Sequence, residues 1–303
     1  KDWNISRQIA WGIHIPAFQN VNDPDDWIFN TSVNEELIEV NNQHYRRDPD
    51  VFDTWFSSGH WPFVTLGYPD SKDFDDFYPN SVMETGQDIL YQWVARMICI
   101  GLYITDTTPF KDVYLHGMVR AEDGRKMSKS LGNVIDPTAV LNEYGADALR
   151  MGMIAGRSAG YSAAYDPSKV IAGRNFCNKL WNIARFAETA LGDDFSREKP
   201  VPKSLADHWI IDRATTTTTH VSTLLDGYRF SEAYDTVYHF IWDDLADWYI
   251  EASKAEHNKQ ILAYVLETAL KLAHPFAPFV TETIWQTLSW KNEDMLITAQ
   301  WPT

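Results

Sequence analysis

Lys126-Met127-Ser128-Lys129-Ser130 sets two ammonium groups three residues apart in a loop with glycine on either side, Gly124 before it and Gly132 after it. Two cations on a mobile, glycine-flanked backbone suit the phosphates of a nucleotide. Upstream, Val113 to Val119 (VYLHGMV) has the character of a strand, Asp123-Gly124 is a turn signal, and Gly132-Asn133 is a second flexible point. Downstream, Asp136 is placed to cap a helix that starts at Pro137. The lysines therefore fall between a strand end and a helix start, where open α/β sheets take ligands. A solvated surface turn has the same composition, so the lysine spacing alone leaves both readings open.

The 303 residues are 45% hydrophobic and 14% aromatic, enough for two packed domains. No stretch approaches the roughly 20 apolar residues of a membrane span, and no basic-then-apolar leader opens the sequence. A soluble cytoplasmic protein with no membrane partner is expected. Cys99 and Cys177 lie far apart in apolar, helical surroundings and read as reduced core thiols; no metal site is supported. With 26 Lys and Arg against 42 Asp and Glu, the formal charge of -16 argues against a surface that grips nucleic acid everywhere. RNA contact would have to be local. The candidate stretch runs from Pro167 to Ala187, where Lys169, Arg174, Lys179 and Arg185 occur without an acid, although an ordinary helix with a basic face explains them equally. The chain opens at a lysine inside a structured-looking segment, without an initiator methionine, and reads as a piece of something longer.

Residues 1–160 alternate short β-like runs, turns and helices, whereas residues 161–303 have almost wholly helical periodicity, so two domains are expected with that boundary. Ser81 to Thr85 (SVMET) reads as a buried strand, Asp88 to Ile104 as a helix and Val113 to Val119 as the next strand: a βαβ unit of a parallel sheet. The polar stretch from Val21 to Asp50 reads as an irregular or hairpin insertion. In the second part, helices are expected at Ser168–Leu191, Leu205–Leu225, Phe230–Ala255, Lys259–Ala273 and Ala277–Leu288, forming an all-α bundle. Phe176, Leu180, Ile183, Ala184 and Ala187 make one apolar stripe of the first. Trp3, Trp181, Trp209, Trp242 and Trp285 read as core.

Further candidates surround the loop. Gly86-Gln87-Asp88 ends the SVMET strand, where a glycine admits a ligand to the backbone and an acid can accept from ribose hydroxyls; Asp88 as a plain helix N-cap is the competing reading. His116-Gly117 lies near the end of the strand that leads into the loop. Trp93 follows Ile89 by four residues, which in an α-helix puts both on one face, and a pocket of indole and isoleucine suits a branched aliphatic side chain.

These segments carry a family resemblance. KMSKS is the signature of class I aminoacyl-tRNA synthetases. DTWFSSGHWPF (Asp53 to Phe63), ETGQDILYQW (Glu84 to Trp93), LHGMV (Leu115 to Val119), KMSKSLGNVIDP (Lys126 to Pro137), YGADALR (Tyr144 to Arg150), RNFCNKLWNIARF (Arg174 to Phe186) and HPFAPFVTE (His274 to Glu282) resemble the valyl-tRNA synthetases in order and spacing, over nearly the whole chain. The resemblance implies the C-terminal half of a Rossmann-like α/β parallel sheet followed by an anticodon-binding helical bundle. It also implies a ligase that joins valine to ATP as valyl-adenylate and passes valine to tRNA(Val), acting as a monomer with Mg2+ on the ATP phosphates. By motif, Trp55, Ile89 and Trp93 would wall the valine side chain, Gly86 and Asp88 would hold the ribose, and His116 and Gly117 would lie near the adenine. Lys126 and Lys129 would stabilise phosphate charge, with Met127 and Ser128 beside them, and Arg174 and Lys179 are the candidates for tRNA contact.

The departures from the pattern matter as much. The HIGH signature does not occur in these residues, Gly12-Ile13-His14-Ile15-Pro16 belonging to a different motif, and the hydrolytic editing domain has no counterpart. Zinc-binding cysteine pairs, present in some relatives between the SRQ and DTWFSS segments, are not found in Trp27 to Asp50, so no zinc is expected in this chain. A stand-alone tRNA-binding module derived from a synthetase and an isoleucine-type synthetase are the competing readings.

Overall fold

The structure is a computed structural model and describes residues 2–192, 194–255, 258–291 and 294–303. It divides into two compact units, Lys1–Leu115 and His116–Thr303.

In the first unit, β1 (Ser6–Arg7) is followed by β2 (Ala17–Asn20), β3 (Trp27–Phe29), β4 (Leu37–Val40) and β5 (Gln43–Arg47). The last four form an antiparallel sheet in the order β3-β2-β5-β4, so of the two forms expected for the polar stretch, irregular or hairpin, the hairpin is present as β4–β5, set within a larger ordered sheet. Three to five residues per strand give too short an alternation to read, yet Phe18, Ile38 and Tyr45 from three strands meet as a small core. Asn20 and Tyr45 both donate to Asp26 at 2.8 Å and hold its carboxyl below the usual range. β6 (Val51–Phe52) pairs antiparallel with β1. Then come α1 (Thr54–Ser58), α2 (Trp61–Val64) and α3 (Lys72–Phe77), with Asp53 and Ser71 capping the first and third.

β7 (Asn80–Gly86) and β8 (Phe110–His116) are hydrogen-bonded neighbours joined through α4 (Ala95–Thr105). Asn80 N donates to Pro109 O at 3.0 Å, so the two strands start at the same end and run parallel, as a helical crossover requires. β7 buries Met83, Thr85 and Gly86 and exposes Ser81, Val82 and Glu84; it is covered on one face, where the SVMET run suggested burial on both. The single helix expected from Asp88 to Ile104 forms as a 3-10 turn (Gln87–Ile89), a π segment (Leu90–Val94) and α4. Met83, Val94, Met97 and Phe110 are the core here, and Cys99, expected among them, is exposed.

The second unit begins where β8 ends. The expected strand stops at His116, three residues early, and β9 (Val119–Arg120) is a separate strand paired in parallel with β10 (Ala163–Ala164). Between them, α5 (Pro137–Tyr144) starts as expected, with Asp136 accepting from Thr138 N at 2.9 Å, and α6 (Ala146–Ile154) follows. The remaining elements are helical: α7 (Pro167–Leu191), α8 (Leu205–Asp226), α9 (Phe230–His239) continued by a π segment (Phe240–Tyr249) into α10 (Ile250–Ser253), then α11 (Lys259–Ala273) and α12 (Pro278–Thr287). Their bounds match the sequence expectations to within two residues.

One core joins these helices. The stripe Phe176, Leu180, Ile183, Ala184 and Ala187 of α7 meets Ile210 and Val221 of α8, Val237 of α9, Leu266 and Leu270 of α11, and Trp285 of α12. Of the tryptophans expected inside, Trp285 is fully buried and Trp3 and Trp242 are half-buried, but Trp181 and Trp209 are 39% and 38% exposed. Trp181 comes one residue after Leu180, which turns it off the buried stripe. Cys177 is half-buried against Met151, and burial pushes its thiol up to about 12. α6 and α7 approach through glycines: a Cβ on Gly173 would lie 2.9 Å from Ala148 O, and one on Gly152 would lie 2.7 Å from Val170 Cγ2.

Buried carboxylates tie the helix ends together. Asp147 of α6 accepts from Phe279 N (3.2 Å) and Val280 N (2.6 Å), so it caps the start of α12 from another helix. Asp207, 3% exposed, closes a capping box with Ser204 and accepts from Lys203 N (2.9 Å), Tyr249 Oη (3.0 Å) and Asn258 Nδ2 (2.7 Å). Burial alone would raise the Asp207 carboxyl, but these donors outweigh it and hold the group below its ordinary 3.8.

A depressed carboxyl stabilises the fold while ionised, above the unfolded-state value, and loses that contribution as pH falls through the folded-state value. Asp207→Asn is expected to lower the unfolding free energy at pH 7 by roughly 1–3 kcal/mol, since Asn258 and Tyr249 lose a charged acceptor. In urea titrations, the gap to wild type should narrow below pH 3.8. A gap of the same size at pH 3 would contradict the assignment.

Candidate functional site

The loop bearing the two lysines grows out of a small hairpin. Ala121 N donates to Arg125 O (2.9 Å), Gly124 N donates to Ala121 O (2.8 Å) with Gly124 at φ +79°, and Lys126 bridges antiparallel to Arg120. The Asp123-Gly124 turn is therefore present as expected. Met127 packs toward Val140, Ala148, Tyr165 and Val170, a cluster that also takes Val119 and Ile135. Asn133 reaches back across the loop: its Oδ1 accepts from Ser128 N at 2.8 Å and its Nδ2 donates to Lys126 O at 3.2 Å. The Ser128 and Ser130 hydroxyls share a hydrogen bond of 2.7 Å, and Lys129–Leu131 forms a 3-10 turn closed by Gly132 at φ +63°. Lys126 and Lys129 are both exposed, and among the described residues neither is held in an ion pair. Asn133, which the sequence suggested as a flexible point, is instead a brace.

At the strand end, His116 Nδ1 lies 3.0 Å from Gly117 O. A Cβ on Gly117 would fall 1.9 Å from Tyr161 O and 2.7 Å from Ser162 N. The glycine is thus demanded by the chain's own crossing, where Met118 N donates to Ser162 Oγ (3.0 Å) and Ala163 N donates to Met118 O (3.2 Å). That crossing is also why β8 stops at His116.

In the first unit, Gly86 is buried at the end of β7 while Gln87 and Asp88 are exposed. Gly86, not Asp88, holds the cap position of the following turn, and no side chain caps it, so the N-cap reading of Asp88 is overturned. Ile89 sits at φ -110°, ψ 14° between the 3-10 turn and the π segment. The four-residue spacing to Trp93 therefore does not have α-helical meaning: Ile89 ends the 3-10 turn and Trp93 lies in the wider i→i+5 segment, a kind common at functional sites. Trp93 rests on the Met83 and Met97 cluster and donates from Nε1 to Ser58 O (3.3 Å), the last residue of α1. The structure thereby brings Trp93 against the short helix that carries half-buried Trp55.

That helix is fixed by Asp53, a residue the sequence marked only by its place before TWFSS. Its carboxylate is 5% exposed and accepts from Trp3 Nε1 (2.8 Å), faces Arg7 (3.0 Å) and Arg96 (3.7 Å), and caps Trp55 N (3.4 Å). The Arg96 guanidinium in turn lies 3.7 Å from the centre of the Trp3 ring.

The basic stretch of α7 is smaller than its sequence implied. Lys169 donates to Ala155 O (2.8 Å), and Lys179 pairs with Asp247 (2.7 Å) over the Trp242 ring. Arg174, beside Tyr144, and Arg185 remain exposed on α7. Outside α7, Tyr234 is core, 5% exposed, and Arg229 is paired with Glu232.

Comparison with known proteins covers both regions. Residues 1–164 match the family model of class I tRNA synthetases (I, L, M and V), and residues 207–303 match that of the anticodon-binding domain of tRNA ligases. The chain is 48% identical over its whole length to a valine–tRNA ligase of Staphylococcus epidermidis and 47% identical to that of Staphylococcus aureus, covering 36% and 35% of them. It thus spans about a third of the length of the curated relatives it matches. Among solved structures, it is similar in fold to a leucyl enzyme of Agrobacterium radiobacter in a ternary complex with tRNA and LeuAMS (TM-score 0.86, 23% identity, all of this chain and 43% of that one). A methionyl-tRNA synthetase of Mycobacterium tuberculosis with methionyl-adenylate has a TM-score of 0.72 at 20% identity, over 96% of this chain and 55% of that one.

The Gly117 crossing has a direct test. Gly117→Ala should cost at least about 1–3 kcal/mol of unfolding free energy in urea, because backbone would have to move. Gly227→Ala, whose Cβ would meet nothing nearer than 3.5 Å, should change it by less than about 1 kcal/mol. Equal effects of the two would contradict the crossing as the reason for the glycine.

Proposed function

Because the chain belongs to the class I tRNA synthetases of the isoleucine, leucine, methionine and valine group, we propose that it is the KMSKS-bearing portion of a valine–tRNA ligase. Identity of 47–48% across the whole chain to valine ligases supports valine as the amino acid. In this reading, residues 1–160 supply the C-terminal half of a Rossmann-like sheet and residues 161–303 a helical bundle that meets the anticodon stem of tRNA(Val). The enzyme would act as a monomer.

The reaction is a carboxylate attack on the α-phosphorus of ATP, giving valyl-adenylate and pyrophosphate, then transfer of valine to the terminal ribose of the tRNA. One observation carries the assignment: Lys126 and Lys129 stand exposed on either side of the pinned Met127-Ser128 pair, with no acid of the described chain paired to them. Two uncompensated ammoniums on a braced loop can offset the charge that builds on the β- and γ-phosphates as pyrophosphate leaves, a contribution of position and electrostatics without a covalent intermediate. Met127 and Ser128 would present backbone beside the phosphates. Trp55 and Trp93 would wall the valine side chain with Ile89, while Gly86 and exposed Asp88 would receive the ribose and His116 with Gly117 would lie by the adenine. Among the described residues no three His, Cys, Asp or Glu side chains gather to hold a metal, and Mg2+ would come with the ATP as its counter-ion. Arg174 is the better candidate for a phosphate of the tRNA, Lys179 being engaged with Asp247.

In the full-length enzyme, Lys129→Ala should lower valine-dependent ATP–pyrophosphate exchange by about a hundredfold, near 3 kcal/mol of transition-state stabilisation. The 303-residue chain by itself, having no HIGH signature, should show no exchange. Wild-type exchange by Lys129→Ala, or faster exchange with isoleucine than with valine, would overturn the reading.

A further inference from the structure

The two hydrogen bonds that Asn133 makes are those that a neighbouring β-strand would make. In an extended segment, the C=O of one residue and the N–H two positions on point the same way, and an antiparallel partner takes both at once. Here the segment is Lys126–Ser128, with Ser128 extended at φ -147°, ψ 137°. The partner is a single carboxamide, whose Oδ1 takes Ser128 N (2.8 Å) and whose Nδ2 gives to Lys126 O (3.2 Å). The residue between is Met127, held on its side-chain face by the Val140, Ala148, Tyr165 and Val170 cluster. Met127 is therefore fixed from two directions, with Lys126 at one end of the braced segment and Lys129 one residue past the other. Only an amide side chain both accepts and donates in this way, and glutamine would be one methylene too long for the same span.

We propose that Asn133 is the positioning residue of the Lys126–Ser130 loop, a carboxamide that stands in for a β-strand and, through the Ser128 amide, sets where the ammonium of the adjoining Lys129 points. The inference rests on the reading that Lys126 and Lys129 meet the phosphates of ATP. Asn133 acts through the loop, so its effect depends on the lysines being there.

The test is a double-mutant cycle in the full-length enzyme, with wild type, Asn133→Ala, Lys129→Ala and the double variant compared by valine-dependent ATP–pyrophosphate exchange. Asn133→Ala should lower kcat/KM for ATP by about tenfold and leave the KM for valine unchanged, and the double variant should fall no more than about twofold below Lys129→Ala. Losses that simply multiply in the double variant, or none in Asn133→Ala, would overturn the proposal. A second readout needs no activity: without ligand, Asn133→Ala should speed tryptic cleavage after Lys126 and Lys129 by about tenfold at an unchanged thermal midpoint. Unchanged cleavage would also overturn it. Wild-type exchange by Lys129→Ala alone would instead strike the reading of the lysines.

Discussion

Everything at the candidate site of the second unit depends on where Met127 is held. Its half-buried side chain contributes less than the roughly 1.5–3 kcal/mol of full burial. The two hydrogen bonds from Asn133, at about 0.5–1.5 kcal/mol each, are of the same size, so neither side-chain packing nor the amide dominates. The cluster that receives Met127 is built by β9, α5, α6 and α7 together. That joint construction links the loop to the helices: α6 packs on α7 through Gly152 and Gly173, and Asp147 of α6 caps α12. YGADALR and HPFAPFVTE, distant in sequence, are thus two sides of one cap.

The acidity of the chain acquires a structural meaning from the same contacts. Asp53, Asp147, Asp207 and Glu267 are buried acids, each meeting backbone donors, side-chain donors or basic side chains. Glu282 works similarly: burial would raise its carboxyl, but Gln286 and the amides of Leu296 and Ile297 hold it below the usual range. Part of the formal charge of -16 is thus structural, sitting on buried acids that cap or brace helices and not on the surface an approaching polyanion touches. The α7 cations are partly consumed too, and Arg174 and Arg185 are what remains exposed of the four first considered.

The helices from α7 onward are legible because long runs, 25 residues in α7 and 22 in α8, give periodicity time to declare itself, and because Asp166-Pro167 and Ser204 mark their starts, as Asp136-Pro137 marks that of the shorter α5. The four-stranded sheet of the first unit was not, since its strands are three to five residues long and its apolar contacts come from different strands. The break of β8 at Gly117 was invisible for another reason: it is set by Tyr161 and Ser162, more than 40 positions away. At the site, the lysine spacing announced the loop. The brace did not announce itself, because an Asn after a Gly reads as a turn until the backbone it bonds is seen. The Ile89–Trp93 pair shows the opposite hazard, in which a helical spacing was read correctly but the backbone beneath it is a 3-10 turn running into a π segment.

In the proposed reaction, the exposed lysine charge acts on the departing pyrophosphate more than on bound ATP. Rapid-quench measurement of valyl-adenylate formation in the full-length enzyme, beside equilibrium binding of ATP, separates the two. Lys129→Ala should slow the single-turnover rate by about a hundredfold while the ATP dissociation constant moves by less than about fivefold. A variant that forms adenylate at the wild-type rate once saturated, and merely binds ATP more weakly, would contradict it.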